Sequence, residues 1–553
     1  MSRTPAIPAS TAAAERRQFL ALCARAVSLT ALSALASSSS VAALPPSASA
    51  ALAASYPFKL GVASGSPLPN AVVLWTRLVP DPIGDPQSSA LGPAALTVRW
   101  EVAEDDNFRI IAASGSASAL PELAFSVHVD AIGLKPERWY WYRFMFGDAV
   151  SPVARTRTAP SPLSLPHALR FAFASCQHWE FGQYGAHRHI AAAAPDLVIF
   201  LGDYIYEWGP YTLSHPLRPQ RSNESFTLRD YRVRYAQYKT DPHLQAAHHA
   251  APWIVTWDDH EVANDYANDQ DERLSADFLD RRAAAYQAFY EHMPVRLPPQ
   301  PGPQSGRERF VSLLMMQRYD WGRLARFHVL DDRQYRSHEA CPKPGRGGSN
   351  SVDATCSERL LRERTLLGAA QEHWLADGLA RSSAGWNILA QQTLMAQASQ
   401  VPIRQDTDGR FWTDGWDGYP AARARLFADL QRHRPANPVV ISGDVHTFFA
   451  ADLRADFQHP VSRGNPVLAS EFCGTSVTSS SRPQARTDRM VADNAHIQYG
   501  RSDRRGFVMM EVTPARTTAQ FQALDDVARA DSAMQTVARF DVAAGKPGLQ
   551  RTD

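Results

Sequence analysis

Val198-Ile199-Phe200-Leu201-Gly202-Asp203-Tyr204-Ile205-Tyr206-Glu207 is an apolar, β-branched run that ends in Gly-Asp. It predicts a buried strand that delivers a carboxylate to the carboxyl edge of a sheet, where open α/β sheets place their ligands. Tyr206 adds a phenol three residues on. Three other strand-like runs end in the same manner. Leu169–Ser175 leads into Cys176, Trp253–Trp257 into Asp258-Asp259-His260-Glu261, and Pro438–Ser442 into Gly443-Asp444-Val445-His446. One such ending marks a turn. Four in one chain, each carrying residue types that bind metal, predict a metal site at a sheet edge.

The 553 residues suffice for more than one domain. A net charge of +1 supplies no basic field, so specific nucleic-acid recognition is not expected. Past the N-terminus no run is long enough to span a bilayer. Glu15-Arg16-Arg17-Gln18-Phe19-Leu20 is a twin-arginine pattern, followed by an Ala/Ser/Leu-rich stretch and small-residue sites up to Ser55. Residues 1–54 are therefore expected to be a signal peptide read by the twin-arginine export machinery. Its removal would leave a periplasmic or secreted protein without a transmembrane anchor. In such an oxidising compartment Cys341 and Cys356, which bracket a Pro/Gly/Ser-rich loop, are expected to form a disulfide.

Residues 55–160 carry short alternating runs at Ala71–Thr76, Leu96–Val102, Ala124–Val129 and Trp139–Phe146. Their spacing predicts an all-β, fibronectin-III-like sandwich domain. A Pro-rich linker follows. From 168 to 515 apolar runs alternate with helical stretches such as Phe278–His292 and Ser357–Arg381, which predicts an α/β domain with Phe507–Val512 as its last strand. The Ala/Arg/Asp-rich remainder, 516–553, is expected to be a tail with room for a helix.

The ligand types sort into two sets. Cys176, Asp203 and Tyr206 combine thiolate, carboxylate and phenolate, a strongly donating set that suits a trivalent ion such as ferric iron, and His446 offers a neutral imidazole nitrogen beside them. Asp203, Asp259, Asn264 and Asp444 are all oxygen donors and suit a hard divalent ion, calcium first, with magnesium or manganese behind. Asp203 could bridge the two ions, and two adjacent metals clamp the oxygens of a phosphoryl centre. His260 stands beside these acids as a candidate general acid.

Asp203 with Tyr206, Asp259-His260-Glu261, and Asp444 with His446 resemble the calcineurin-like metallophosphoesterase pattern, in its purple-acid-phosphatase variant with a tyrosine ligand. The usual first motif, Asp-x-His, is replaced by Ser175-Cys176-Gln177, and that replacement is similar to PhoD-type alkaline phosphatases. Gln177-His178-Trp179-Glu180, Asp332-Arg333-Gln334-Tyr335-Arg336, Asp414-Gly415-Trp416-Asp417-Gly418-Tyr419-Pro420 and Gly474-Thr475-Ser476 resemble further stretches of that family. The resemblance implies a two-sheet metallophosphoesterase sandwich flanked by helices, with Fe3+ held by Cys176, Asp203, Tyr206 and His446 and Ca2+ held by Asp203, Asp259, Asn264 and Asp444. It implies hydrolysis of phosphate-ester substrates, monoesters and diesters, by metal-activated hydroxide or oxide attack on phosphorus. His260 would act as general acid or phosphate contact. Arg333 would pair phosphate oxygens, or else be a structural partner of Asp331 or Asp332. Two other readings remain open at this point: a phosphodiesterase or phospholipase-D-like diesterase, and a non-catalytic secreted binding module on the same scaffold.

Overall fold

Alternation within the apolar runs builds two sheets around one shared core. Leu169, Phe171 and Phe173 pack in the same cluster as Leu197, Ile199 and Leu201 of the next strand and as Ile388, Val439, Ile441 and Phe472 of the opposing sheet. Ala172, Ala174, Val198 and Phe200 point the other way, into a cluster with the helices Gly185–Ala193, Leu228–Lys239, Pro242–Ala250 and Phe278–His292. Leu389, Val440 and Cys473 do the same on the outer face of the second sheet, against helices Gly368–Ala380 and Pro420–His433. Each central strand is thus apolar on both faces, as parallel strands covered by helices must be. The structure, a computed structural model, describes residues 56–211, 216–296, 310–311, 313–404 and 408–553. The expected export leader lies outside the described residues.

The first sheet has ten strands in the order Lys546–Arg551, Met534–Ala543, Arg516–Leu524, Gly506–Val512, Leu169–Ala174, Leu197–Leu201, Trp253–Thr256, Val62–Leu68, Ala71–Arg77 and Ser126–Ile132. The second has seven, with Ala325–Val329, Trp386–Ala390, Pro438–Ser442 and Ala469–Cys473 running parallel at its centre. Leu169–Ala174, Leu197–Leu201 and Trp253–Thr256 are likewise mutually parallel. Parallel strands send all their carboxyl ends to one edge, and this brings the four ligand-bearing turns together.

Three sequence expectations change. The N-terminal region is all-β, but its strands divide between two sheets. Leu96–Ala103, Ile111–Ala119, Trp139–Phe146, Ala149–Val150 and Ala154–Arg157 form a separate five-stranded sheet, whereas Val62–Leu68, Ala71–Arg77 and Ser126–Ile132 extend the first sheet. Ala71–Arg77 is buried at every position, the signature of an internal strand. The junction is tight at Gly65, opposite Trp253, where an added Cβ would meet the Trp253 carbonyl at 2.6 Å.

The tail is not helical. Residues 516–553 supply the strands Arg516–Leu524, Met534–Ala543 and Lys546–Arg551. Ala519, Phe521 and Ala523, then Ala538, Phe540 and Val542, enter the inter-sheet core at every second position. A period of two needs only small side chains where space is short, so alanine here reads as strand and not helix. The stretch 357–381 is helical only in part: a short 3-10 turn, Ser357–Leu360, precedes a helix that starts at Gly368. Gly368 has φ of 73°, which separates the two segments.

Candidate metal centre

Four turns meet at the carboxyl edge of both sheets, and three of them hold ligand-type residues in a strained backbone. Cys176 has φ of 60°, Asp203 56°, Asp444 61° and His446 54°. Side chains with a Cβ rarely adopt this left-handed region, and each instance costs of order 1–3 kcal/mol unless neighbours enforce it. Here they do. Cys176 N donates to Gly202 O at 3.2 Å, and Gln177 N donates to Asp203 O at 3.0 Å, so the first two turns lock together. Gly202 has φ of 101°, and a Cβ there would meet the Asp258 Cβ at 2.4 Å. Only glycine lets the second and third turns approach so closely.

Glu261 completes the lock. Its buried carboxylate accepts from Asp203 N at 3.0 Å, Tyr204 N at 2.6 Å and Asp258 N at 2.7 Å. One side chain thereby fixes the turns after two adjacent strands.

The Tyr206 hydroxyl donates to Asp203 Oδ2 at 2.8 Å, accepts from Ser479 Oγ at 2.6 Å, and lies 3.3 Å from His446 Nε2. His446 Nδ1 is 2.7 Å from the Ser480 carbonyl, which turns Nε2 toward the tyrosine. Ligand atoms of Cys176, Asp203 and His446 all lie within 4.8 Å of one another, and so do those of Asp203, Asp259 and His260. Asp203 belongs to both groups. Asp444 and Asn264 line the same cavity, of about 490 Å³. The Asn264 amide nitrogen donates to Glu272 Oε2 at 3.2 Å, which leaves its carbonyl oxygen to the cavity.

The donor set asks for cations. Asp203 Oδ1, Asp259 Oδ1 and Asp444 Oδ2 are buried with no hydrogen-bond partner among the described residues. Buried anionic oxygens without partners are among the most expensive groups a protein can hold. Burial pushes the Asp203 and Asp444 carboxyls well above the usual range, and neighbouring acids, Asp259 and Asp258 among them, add to it. Burial likewise raises the Cys176 thiol and the Tyr206 phenol, with Asp203 adding to both. Asp259 is the exception. Burial raises it, but Arg333 and His260 bring its carboxyl down to about 2. A thiol, a phenol, an imidazole and several carboxyls gathered at one cavity make a donor set that fits bound metal ions.

His260 is held by a buried acid on one side of its ring. Its Nδ1 lies 2.7 Å from Glu207 Oε2, while Glu207 Oε1 accepts from Asn264 N at 2.7 Å. The ring lies against Tyr206, with centroids 4.1 Å apart, and meets Trp208 edge-on at 4.4 Å. Nδ1 is thus taken and Nε2 is free to face the cavity, which His260 lines. Burial works against the imidazolium, but Glu207, Asp259 and Asp203 outweigh it and hold the pKa well above the ordinary value.

Arg333 takes neither of its two expected positions. Its guanidinium is 1% exposed, absent from the cavity wall, and enclosed by carboxylates. Nε donates to Asp258 Oδ1 at 2.5 Å, Nη1 and Nη2 pair with Asp414 at 2.5 and 2.9 Å, and Asp259 Oδ1 lies 3.3 Å away. It positions acids beneath the site and touches neither Asp331 nor Asp332 through its side chain. Cys341 and Cys356 are joined, with sulfurs 2.08 Å apart, and their loop brings Ser349 to Asp265 Oδ2 at 2.6 Å. Sequence reasoning left Glu207 and Glu261 without roles, although both stand in the quoted motifs. It gave no sign of Arg482 and Arg486, which also line the cavity.

Because Asp203 is shared, Asn at 203 should empty both metal groups, whereas Asn at 259 should empty one. Elemental analysis of the purified Asp203→Asn and Asp259→Asn proteins checks this. Equal metal content in the two variants would refute the shared role. Comparison with known proteins gives the same region its context. A family model for PhoD-like phosphatase matches residues 171–521, and one for the PhoD-like phosphatase N-terminal domain matches 43–160. The chain is 43% identical over 510 residues to alkaline phosphatase D of Bacillus subtilis, covering 90% of this chain and 82% of the relative. A solved structure described as that of PhoD superposes with a TM-score of 0.83 at 42% identity, covering 90% of this chain and 92% of that one. The strands, the ligand turns and these matches agree, and the chain belongs to the PhoD-like phosphatase family.

Proposed function

We propose that this chain is an exported phosphoesterase in which Cys176, Asp203, Tyr206 and His446 hold ferric iron. Asp203, Asp259, Asn264 and Asp444 hold calcium, with magnesium or manganese able to replace it. Phosphoric ester hydrolysis follows from the family. The observation that supports the metals is the pair of orphaned oxygens on Asp203 and Asp444 around one cavity. A phosphate ester is itself anionic, and a bare wall of carboxylates would repel it. Cations invert the sign of the site.

When bound, such cations supply Lewis-acid charge neutralisation and a nucleophile derived from water at moderate pH. The chain supplies the rest. Tyr206, Asp203 and His446 are held in register by Ser479 and the Ser480 carbonyl. Glu207 fixes the His260 ring and keeps it protonated, so that Nε2 gives its proton to the departing alkoxide. Trp208 and Tyr206 confine that ring from two sides. Arg333 holds Asp258, Asp259 and Asp414 at fixed spacing, so the acids do not splay when phosphate arrives.

Export rests on the Arg16-Arg17 pattern. Among the described residues no helix is long and apolar enough to cross a membrane. A precursor with Arg16→Lys and Arg17→Lys is expected to accumulate inside producing cells. Unchanged appearance outside would refute twin-arginine export.

Phosphate release from nitrophenyl phosphate at alkaline pH is expected from metal-loaded protein and is expected to collapse after a calcium chelator. Full turnover after demonstrated metal removal would overturn the metal reading. Glu207→Gln is expected to lower kcat by roughly 10–100-fold with metal content retained, the usual scale for an outer partner of a site residue. A kcat within twofold of the unsubstituted protein would remove Glu207 from the mechanism.

A further inference from the structure

Two arginines stand in the cavity wall without a carboxylate partner. Arg482 and Arg486 share that wall with Asp203, Asp259, Asp444 and His446. Among the described residues the Arg482 guanidinium hydrogen-bonds only Met490 Sδ, at 3.7 Å, and that of Arg486 only Gln400 Oε1, at 3.4 Å, and neither forms an ion pair. The contrast within the same chain is sharp: Arg232, Arg333 and Arg423 each pair with a buried carboxylate. Guanidinium does not discharge in proteins, so two of them in one wall call for an anion. Arg482 is the inner of the two. It lies within electrostatic reach of Asp444 and His446, and burial lowers its pKa with Arg486 adding to the effect. Arg486, on the first turn of the helix Gln484–Asp493, is exposed and reaches toward the rim at Gln400. The pair therefore leads outward from the metal ligands. A cavity of about 490 Å³ is of a size that takes a whole small molecule, not a phosphoryl group alone.

The geometry points to a second anion subsite, formed by Arg482 and Arg486, that takes a non-scissile phosphate on the alcohol part of the substrate. The preferred substrates are then small bisphosphorylated molecules: one phosphate meets the metals and the other meets the arginines. Arginine matches phosphate oxygens two at a time, which gives such a subsite both affinity and orientation. This inference rests on the phosphoesterase reading above.

The test uses the full-length, metal-loaded enzyme and two substrates that differ by one phosphate, adenosine 5′-monophosphate and adenosine 3′,5′-bisphosphate. Initial phosphate release gives kcat/KM for each. The unsubstituted enzyme is expected to favour the bisphosphate by about tenfold or more, the scale of one or two charge-assisted hydrogen bonds. Arg486→Gln is expected to reduce that ratio several-fold, and the Arg482→Gln, Arg486→Gln double variant to bring it near one. Arg486→Lys is expected to restore part of the ratio. A ratio near one in the unsubstituted enzyme overturns the inference. A ratio that the substitutions leave intact also overturns it, since equal losses on both substrates place the guanidinia on the scissile phosphate or in the fold. No turnover of either substrate or of nitrophenyl phosphate would instead overturn the phosphoesterase reading. Arg486 is exposed on a helix surface, so its single variant keeps the test available if the double variant does not fold.

Discussion

The carboxylate of Glu261 carries the greatest structural responsibility for its size. Its two oxygens accept three backbone N–H groups from the turns that follow two neighbouring strands. Those turns hold Asp203 and Asp259, so the spacing of two cavity-lining acids is set by a third acid outside the cavity wall. Desolvation raises the Glu261 carboxyl to about 8, against the pull of those same donors. The site is therefore built from acids at close range, and the proposed cations would relieve the repulsion that the fold imposes.

The left-handed turns belong to the same economy. Cys176, Asp203 and Asp444 each turn left-handed two residues after a strand ends, and His446 does so two residues before the next strand begins, which places the side chains over the sheet edge. An extended exit would carry them past it. The strain is held by hydrogen bonds between turns, such as Cys176 N to Gly202 O, and by the contact between Gly202 and Asp258. Arg333 does for charge what Glu261 does for backbone: one guanidinium spans Asp258, Asp259 and Asp414.

The parts legible in the sequence are those encoded locally. Each candidate ligand turn follows its own apolar run, so strand, turn and donor type stand close together in the chain, and the four strand ends could be read directly. Partners from distant segments could not. The carboxylates around Arg333 lie 75 and 81 positions away, which no spacing rule anticipates. Ala71–Arg77 reads as a strand, but its membership of the first sheet depends on Trp253 lying opposite Gly65. In the final segment the alternation of Ala519, Phe521 and Ala523 was present, masked by an alanine-rich composition that suggests helix. Arg482 and Arg486 look like solvated charge beside a short helix, and only the cavity gives them meaning.

The strand Gly506–Val512 pairs with Leu169–Ala174 near the middle of the first sheet, and Arg516–Leu524 and Met534–Ala543 lie beyond it. Contacts across the site are as long-range as that pairing: His178 N to Ser479 Oγ spans 301 positions. Loop closure on this scale is slow relative to local folding. During synthesis the turn at Cys176 must wait for chain that emerges much later before Ser479 and Gly506–Val512 can close over it. The nascent chain consequently exposes its acids one at a time, and the complete cation trap exists only once nearly the whole polypeptide is available. On the proposed metal reading, metal capture is then a terminal event of folding, and a loaded protein would certify its own correct assembly.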